Sequence, residues 1–275
     1  MTMPALTALV RYPVKSLAGA GTARAAVEPW GLSGDRRWMV TGPDGTLLTQ
    51  REHPRLALAA AEPLPGGGLR LSGPGMPPLT VEVPDPAAGT VVARMWRTKV
   101  EVVEAADGAH TWLTAYLGTG ARLVHLDAPG HRRPVDPEYG RPGETVNLAD
   151  EFPLLLTTVS SLEALNLLIA QGDHPDEGPL PMGRFRPNAV VEGTPPWAED
   201  GWRRVRIGEV SFRVVKPCAR CVVTTTDQAT GERGKEPLRT LARHRRFGDA
   251  LVFGQKLVPE HTGVLRTGDP FEVLG

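Results

Sequence analysis

The chain has 275 residues, and its 31 basic and 31 acidic side chains give a formal net charge of zero. This balance excludes the strongly basic face that bulk nucleic-acid or membrane binding requires, although it allows a local basic pocket. With 31 glycines and 27 prolines, the composition favours many short strands over long helices. Two cysteines are too few for a four-cysteine iron–sulfur cluster, an all-cysteine zinc site or a disulfide framework, which predicts a reducing compartment.

The first part of the chain has short apolar segments separated by clusters of glycine and proline, a spacing typical of a barrel or a sandwich. A soft change of composition predicts a domain boundary near Pro84 to Gly89, and we divide the chain into residues 1–88 and 89–275. Residues 1–14 lack a basic segment followed by an apolar core, and no apolar run approaches the ~20 residues of a membrane span, so a cytoplasmic protein is expected. The predicted strands are 7–11, 24–29, 37–41, 46–49, 56–61, 68–71 and 79–83.

The rest of the chain mixes three predicted helices with further strands. The helices are 108–117, 161–171 behind a Ser160 to Glu163 capping box, and 236–245 with Pro237 in its first turn. Segments 128–145 and 172–184 are long and rich in proline, glycine and charge, as is typical of functional loops that shape access to a site. The predicted strands are 91–93, 99–103, 121–126, 153–157, 189–192, 205–215, 221–226 and 251–259.

Three polar patches stand at the ends of predicted strands. Lys15 and Ser16 can hold a phosphate, and an arginine held in one rotamer by Asp35 can clamp an anion with its planar guanidinium. Taken alone, a solvated lysine and a surface ion pair are the simpler interpretations of these two patches. Arg186 and Asn188, two apart on an extended segment, project from one face, which fits either an anionic heterocycle or an ordinary polar strand start.

The fourth patch holds both cysteines, Cys218 and Cys221. The β-branched run that follows predicts a strand, unlike the helix N-terminus of a thioredoxin motif. Residues three apart in an extended chain point to opposite faces, so the two thiols are not expected to bind one metal together. A single thiolate beside an arginine fits a soft metal whose other ligands are not protein, and a buried structural cysteine is the alternative.

In chain order, the four patches and several other motifs form one series, which is more specific than any patch alone. The motifs are Tyr12-Pro13-Val14-Lys15-Ser16, Gly34-Asp35-Arg36-Arg37-Trp38, Leu48-Thr49-Gln50-Arg51, Ala149-Asp150-Glu151-Phe152-Pro153, Phe185-Arg186-Pro187-Asn188 and Cys218-Ala219-Arg220-Cys221-Val222-Val223-Thr224-Thr225-Thr226-Asp227. Over essentially the whole chain this series resembles the MOSC family, in the branch that includes the mitochondrial amidoxime-reducing component and its bacterial relatives. The resemblance implies a mixed, mainly β (α+β) fold with a few short helices: a β-rich, barrel-like MOSC N-terminal region at 1–88 and a β-barrel MOSC core at 89–275.

The resemblance also implies a pterin-bound molybdenum (the molybdenum cofactor) with Cys221 as its single protein ligand. Asp150 matches an acidic position near the metal, which would orient substrate or pass a proton, and Cys218 is expected to be structural. The implied reaction reduces N-hydroxylated compounds with two electrons and two protons, and releases the amine or amidine and water. The cofactor contacts carried over are Lys15, Ser16, Arg36, Arg186, Asn188, Arg220 and Cys221.

The partners follow from the same resemblance. Some bacterial relatives carry a C-terminal ferredoxin-like domain with four cysteines, whereas this chain has two cysteines in all. We therefore expect no iron–sulfur cluster in this chain, and electrons from a separate ferredoxin- or flavoprotein-type reductase. The substrate is expected to be a small N-hydroxylated molecule, with neither nucleic acid nor membrane as a partner. Two alternatives stay open: a carrier or sulfur-transfer module for the molybdenum cofactor without its own turnover, and a structural relative that has lost the metal.

Overall fold

A computed structural model describes residues 3–275, so the first two residues of the predicted N-terminal region lie outside the described part. Short strands dominate that part, in agreement with the glycine- and proline-rich composition. The strands are β1 (Ala5–Arg11), β2 (Ala20–Thr22), β3 (Arg24–Glu28), β4 (Gly31–Leu32), β5 (Trp38–Thr41), β6 (Ala60–Pro63), β7 (Leu69–Gly73), β8 (Met76–Val81), β9 (Val91–Met95), β10 (Thr98–Glu104), β11 (Arg122–His125), β12 (Leu154–Thr158), β13 (Ala189–Glu192), β14 (Arg204–Ile207), β15 (Val210–Ala219), β16 (Arg246–Phe247), β17 (Ala250–Pro259), β18 (Gly263–Arg266) and β19 (Phe271–Val273). The α-helices are α1 (Asp107–Leu117), α2 (Pro129–Arg132), α3 (Val159–Ala170) and α4 (Leu238–His244).

The largest sheet joins the two ends of the chain. Its strand order is β19-β14-β15-β17-β12-β13-β1-β2, with β16 paired to β17. Only the β12–β13 pair within it is parallel. Leu6 of β1, Phe212 of β15 and Leu257 of β17 are fully buried in one core, so the N-terminal strand is an integral part of the sheet formed by the C-terminal strands.

The mainly β, mixed class is confirmed, but the large sheet does not close into a barrel within residues 3–275. Strand β2 pairs with β1 from Leu9 to Arg11 and so covers only the C-terminal part of that edge. The N-terminal part of β1 meets the chain just before β19 through a bridge between Ala5 and Pro270 and backbone hydrogen bonds of Leu6 with Gly268 and Asp269. The two ends of the sheet therefore approach each other without forming a continuous ladder.

Three smaller sheets complete the fold, with orders β5-β11-β10-β9, β18-β3-β4 and β6-β7-β8. Helix α1 packs against strands of the first and the third, and its Trp112 and Leu113 lie in the same core as Trp38. Strand β18 from the C-terminal part pairs with β3 from the N-terminal part. The predicted boundary at residues 88 and 89 stays a prediction.

The three predicted helices correspond to α1, α3 and α4, and two details of the prediction were wrong. The cap of α3 is Thr158, whose hydroxyl accepts a hydrogen bond from the Ser161 amide at 3.2 Å, and not Ser160. The segment 56–61 begins as a 3-10 helix at Pro54–Leu58, because Pro54 presets a helical φ in its first turn. Among the described residues, no helix is long and apolar enough to span a bilayer.

Candidate functional site

One cavity of about 140 Å³ collects every residue that the sequence assigned to a site. The loops that carry these residues adjoin β1, β5, β12, β13 and β15, and all of these strands except β5 belong to the large sheet. Residues far apart in sequence therefore meet in space. The predicted residues that line the cavity are Lys15, Ser16, Arg36, Asp150, Arg186, Asn188, Arg220 and Cys221.

The closed end of the cavity consists of Arg36, Arg186 and Asn188, and Tyr12 lies behind the two arginines. The guanidinium carbons of Arg36 and Arg186 lie 4.4 and 4.3 Å from the centroid of the buried Tyr12 ring, so one ring supports both cations. Arg36 donates to the Asp35 carboxylate at 2.6 Å and to the Asn188 side-chain oxygen at 2.9 Å. These contacts fix the guanidinium in one orientation, which is what recognition of an anion requires.

Arg186 carries a positive charge that no carboxylate of the described chain contacts. Its guanidinium donates to the carbonyl of Leu17 at 2.7 Å and to the side chain of Gln228 at 3.3 Å. Burial lowers the pKa of Arg186 to about 10, so the group stays protonated at neutral pH. A buried, charged and unpaired guanidinium favours an anionic ligand beside it.

Strained backbone is concentrated at this cavity. Five residues other than glycine have positive φ angles in the described chain, and Trp197 is the single one of them that does not line the cavity. Such conformations cost about 1–3 kcal/mol each and persist where the surroundings hold them, most often at functional sites. The four lining residues and their φ angles are Ser16 (69°), Arg36 (43°), Trp96 (57°) and Arg186 (55°).

The open end of the cavity consists of Arg51, Trp96, Asp150 and Cys221. Asp150 is 56% exposed in its side chain, and its Oδ1 accepts from Lys15 Nζ at 2.6 Å. Partial desolvation by the cavity walls would raise the pKa of the Asp150 carboxyl, but Lys15 outweighs this effect and holds the pKa well below its usual range. Burial lowers the pKa of Lys15 to about 8, against the opposing effect of Asp150.

Cys221 begins a 3-10 helix (Val222–Thr225) rather than the predicted strand. The hydroxyl of Thr224 donates to the carbonyl of Cys221 at 2.9 Å, and that of Thr225 donates to the carbonyl of Val222 at 2.8 Å. These local bonds satisfy backbone acceptors that a strand would offer to a neighbour, and so they override the β propensity. The Cys221 sulfur accepts from Arg51 Nη2 at 3.3 Å.

Cys218 also lines the cavity, so the prediction that the two cysteines face opposite sides was wrong. Burial raises the pKa of the Cys218 thiol, and its sulfur accepts from Arg220 Nη1 at 2.8 Å. Within residues 3–275, no group of three or more histidine, cysteine or acidic side chains can hold a metal ion. A metal at Cys221 would therefore take most of its ligands from a bound molecule.

Two further cations, Arg51 and Lys256, line the cavity walls beyond those predicted from the sequence. Arg51 and Lys256 join Lys15, Arg36, Arg186 and Arg220, so six cations face two carboxylates, Asp150 and Glu151. Arg51 stood within a quoted motif, but its contact with Cys221 spans 170 residues and had no local signal. Trp96 stood in no motif at all. The excess of positive charge suits a negatively charged ligand.

Neither of the two long segments, 128–145 and 172–184, contributes a residue to the cavity lining in the described chain, so their expected role in substrate access is not seen. The first segment supports the cavity from outside. Arg133, 6% exposed, donates to the carbonyls of Asn147 and Asp150, both at 2.6 Å, and also to that of Ala149. This side chain pins the segment that presents Asp150.

Comparison with known proteins identifies the family of the chain. The model of the MOSC N-terminal beta barrel domain matches residues 3–120, and that of the MOSC domain matches residues 143–272. Mitochondrial amidoxime-reducing component 1 of Homo sapiens is 33% identical over 96% of this chain and 81% of its own length, and that of Xenopus laevis is 32% identical over 95% and 80%. Molybdenum cofactor sulfurase of Oryza sativa subsp. japonica is 30% identical over 90% of this chain, which spans 32% of that protein. The chain therefore belongs to the MOSC family, in the branch with a MOSC N-terminal domain that contains the mitochondrial amidoxime-reducing components.

Proposed function

We propose that this chain is a molybdenum-cofactor-dependent reductase of N-hydroxylated compounds that receives electrons from a separate redox protein. One observation carries the proposal: a cysteine sulfur, an exposed carboxylate and an excess of cations share a single cavity. The relatives named amidoxime-reducing component support this reaction class. The cytoplasmic location and the ferredoxin- or flavoprotein-type donor stay predictions.

The residues present fit a pterin cofactor with an anionic phosphate. Arg186 has no carboxylate partner in the described chain, and the buried Nε of Arg220 has no hydrogen-bond partner there. Unpaired buried donors are costly, and a phosphate or a pterin edge would satisfy them. Lys15, Ser16, Arg36, Arg186, Asn188 and Arg220 would hold the cofactor, and Cys221 would be the protein ligand of its metal. When bound, the molybdenum cofactor supplies two-electron redox chemistry and accepts oxygen.

The chain itself orients substrate and provides protons. Because Lys15 keeps the Asp150 carboxylate ionised, Asp150 serves as a hydrogen-bond acceptor for substrate and not as a proton source at neutral pH. Lys15 has a pKa of about 8 and lies 2.6 Å from Asp150, so it holds a proton that it can release near neutral pH. We therefore assign the proton-donating role to Lys15 and the orienting role to Asp150.

The test is metal analysis and turnover of the full chain produced in a host that makes the molybdenum cofactor. We expect stoichiometric molybdenum, and consumption of benzamidoxime with a chemically reduced viologen dye as the electron donor. Cys221→Ser should abolish turnover, whereas Cys218→Ser, the same change three residues away on the same cavity wall, should keep metal and activity. Wild-type protein without molybdenum would contradict the proposal.

The second candidate function is a carrier or sulfur-transfer module for the same cofactor. Relatives named molybdenum cofactor sulfurase, which match 90% of this chain in rice, favour it. One measurement, turnover by a molybdenum-loaded sample, distinguishes the two functions. A molybdenum-loaded sample that consumes neither an amidoxime nor a hydroxylamine in the presence of reduced dye would identify the carrier.

A further inference from the structure

Trp96 is a large aromatic residue at the mouth of the cavity, and its indole is only partly packed. The residue is 49% exposed, yet it lines the cavity together with Asp150 and Cys221. It is the first of two residues in the turn between β9 and β10, because Met95 pairs with Thr98. The burial of apolar surface in a core does not account for its position.

The backbone of Trp96 is also unfavourable for its residue type. Its φ angle is 57°, a value that tight hairpin turns usually assign to glycine or asparagine. Among the described residues, the other lining residues with this strain are Ser16, Arg36 and Arg186, which all belong to the proposed cofactor site. A strained, exposed tryptophan in this group indicates that the indole has a binding role.

Two contacts hold the Trp96 indole in place. The guanidinium of Arg51 lies over the ring, 4.0 Å from the centroid, and the same arginine donates to the Cys221 sulfur. The indole Nε1 donates to Asp150 Oδ1 at 3.4 Å. The ring is therefore fixed by two other members of the open end while much of its surface stays accessible, which makes a preorganised stacking platform.

The neighbouring carboxylate offers one free acceptor. Asp150 Oδ1 accepts from both Lys15 and Trp96, whereas Asp150 Oδ2 makes no hydrogen bond within residues 3–275. The carboxylate is ionised and 56% exposed, so Oδ2 can accept an N–H from a bound molecule. An aromatic surface and a free carboxylate oxygen thus lie side by side.

We propose that Trp96 and Asp150 Oδ2 together bind planar substrates with an N–H donor next to an aromatic ring, of which aromatic amidoximes are the simplest. The ring stacks on the indole, and the amino group of the amidoxime donates to Oδ2. A neutral amidoxime suits this cavity better than a cation, because the walls already carry six cations and two carboxylates. The inference rests on the proposed function and names its substrate class.

The first experiment compares two substrates that share the reacting group. In the loaded enzyme, Trp96→Leu should raise the KM for benzamidoxime about tenfold and that for acetamidoxime less than about twofold, because only the former has a ring to stack. Trp96→Phe, which keeps an aromatic ring, should have a KM for benzamidoxime close to that of the wild type. Trp30→Leu, a tryptophan outside the cavity lining, should change neither KM. Equal losses on both substrates would overturn the inference.

The second experiment does not depend on turnover. Benzamide, a planar N–H donor without a reducible N–O bond, should quench part of the tryptophan fluorescence of the purified full chain, and Trp96→Phe should abolish that part. Wild-type protein that shows no such quenching would overturn the inference. Quenching without reduction of any amidoxime would support the binding site at Trp96 and contradict only the proposed function.

Discussion

The two ends of the cavity differ in how completely their polar side chains are buried and hydrogen-bonded by other protein groups. At the closed end, Asn188 is 1% exposed and Tyr12 behind it is 3% exposed. The Arg36 guanidinium donates to three partners there: the Asp35 carboxylate, the Asn188 side chain and the Arg186 carbonyl. At the open end, the side chain of Asp150 is 56% exposed, and one of its oxygens has no partner in the described chain. The closed end is built to hold a ligand in one orientation, and the open end keeps groups available for a reacting molecule. Variants at or behind the closed end should therefore lower stability or ligand retention, while variants of the open end should change turnover.

The largest effect is expected for Asp35→Asn at the closed end. Asp35 is fully buried and pairs with Arg36 at 2.6 Å, so the variant leaves a buried charge without its partner. We expect a loss of about 3 kcal/mol in the free energy of unfolding, measured by urea denaturation. The control is Asp44→Asn, which breaks an exposed pair with Arg94 and should cost less than about 1 kcal/mol. Equal losses would refute the comparison.

Lys15→Arg should change turnover and its pH profile at the boundary between the two ends. Lys15 is protonated below its pKa of about 8, so kcat/KM of the wild type should fall as the pH rises through 8. Arginine keeps its proton far above that value, so the variant should lose this alkaline limb and be about 100-fold slower at pH 7.

The matched control for Lys15 is Lys256→Arg. Lys256 also lines the cavity, and burial lowers its pKa to about 8 as well, but its ammonium group pairs with Glu151. This variant should keep the alkaline limb. If Lys256→Arg removes the limb and Lys15→Arg keeps it, the two lysines have exchanged roles and our assignment fails.

Arg186→Lys should weaken retention of the cofactor with little change in fold stability. A lysine cannot reproduce the planar guanidinium that stacks on Tyr12 and donates in two directions. We expect about tenfold weaker binding, measured as pterin and molybdenum per chain after dialysis. Arg55→Lys replaces an arginine that also stacks on a tyrosine, Tyr116, but lies outside the cavity lining, and should retain both.

The smallest effect is expected for Trp96→Asn at the open end. Asparagine tolerates a positive φ angle, and the indole is half exposed, so the melting temperature should stay the same or rise. A differential scan would measure it. A fall of more than about 3 °C, which corresponds to about 1 kcal/mol, would mean that Trp96 is mainly structural and would weaken the contrast between the ends.

Sequence motifs located the walls of this cavity more reliably than its local structure. Lys15, Arg36 and Cys221 line one cavity, and each could be singled out beforehand because it belongs to a motif with a distinctive order of residue types. The strand predicted at 221–226 failed because hydroxyl groups of Thr224 and Thr225 bond to nearby carbonyls, a choice that β propensity does not express.

The open end was the harder part to predict, since its contacts are distant in sequence. Arg51 reaches Cys221 across 170 residues, and Trp96 reaches Asp150 across 54. A tryptophan in a two-residue hairpin turn resembles the strand residues around it in sequence, and its φ angle and exposure distinguish it only in the structure. The edge of β1 is likewise shared between partners distant from each other in sequence, because β2 pairs with its C-terminal part and the chain before β19 meets its N-terminal part, which no local pattern predicts.

The cavity is held together by contacts between residues that lie far apart in the sequence, and this affects when it forms during folding. The contacts of Lys15 with Asp150 and of Arg36 with Asn188 close chain segments of 135 and 152 residues, so the cavity walls meet only after distant parts of the chain have folded together. A ligand that touches both walls binds only the folded state of the chain. At a concentration 1,000 times its Kd, it stabilises that state by about 4 kcal/mol. Chains without the cofactor would therefore unfold more often than loaded chains and be degraded sooner, so cofactor binding would select for correctly folded chains in the cell.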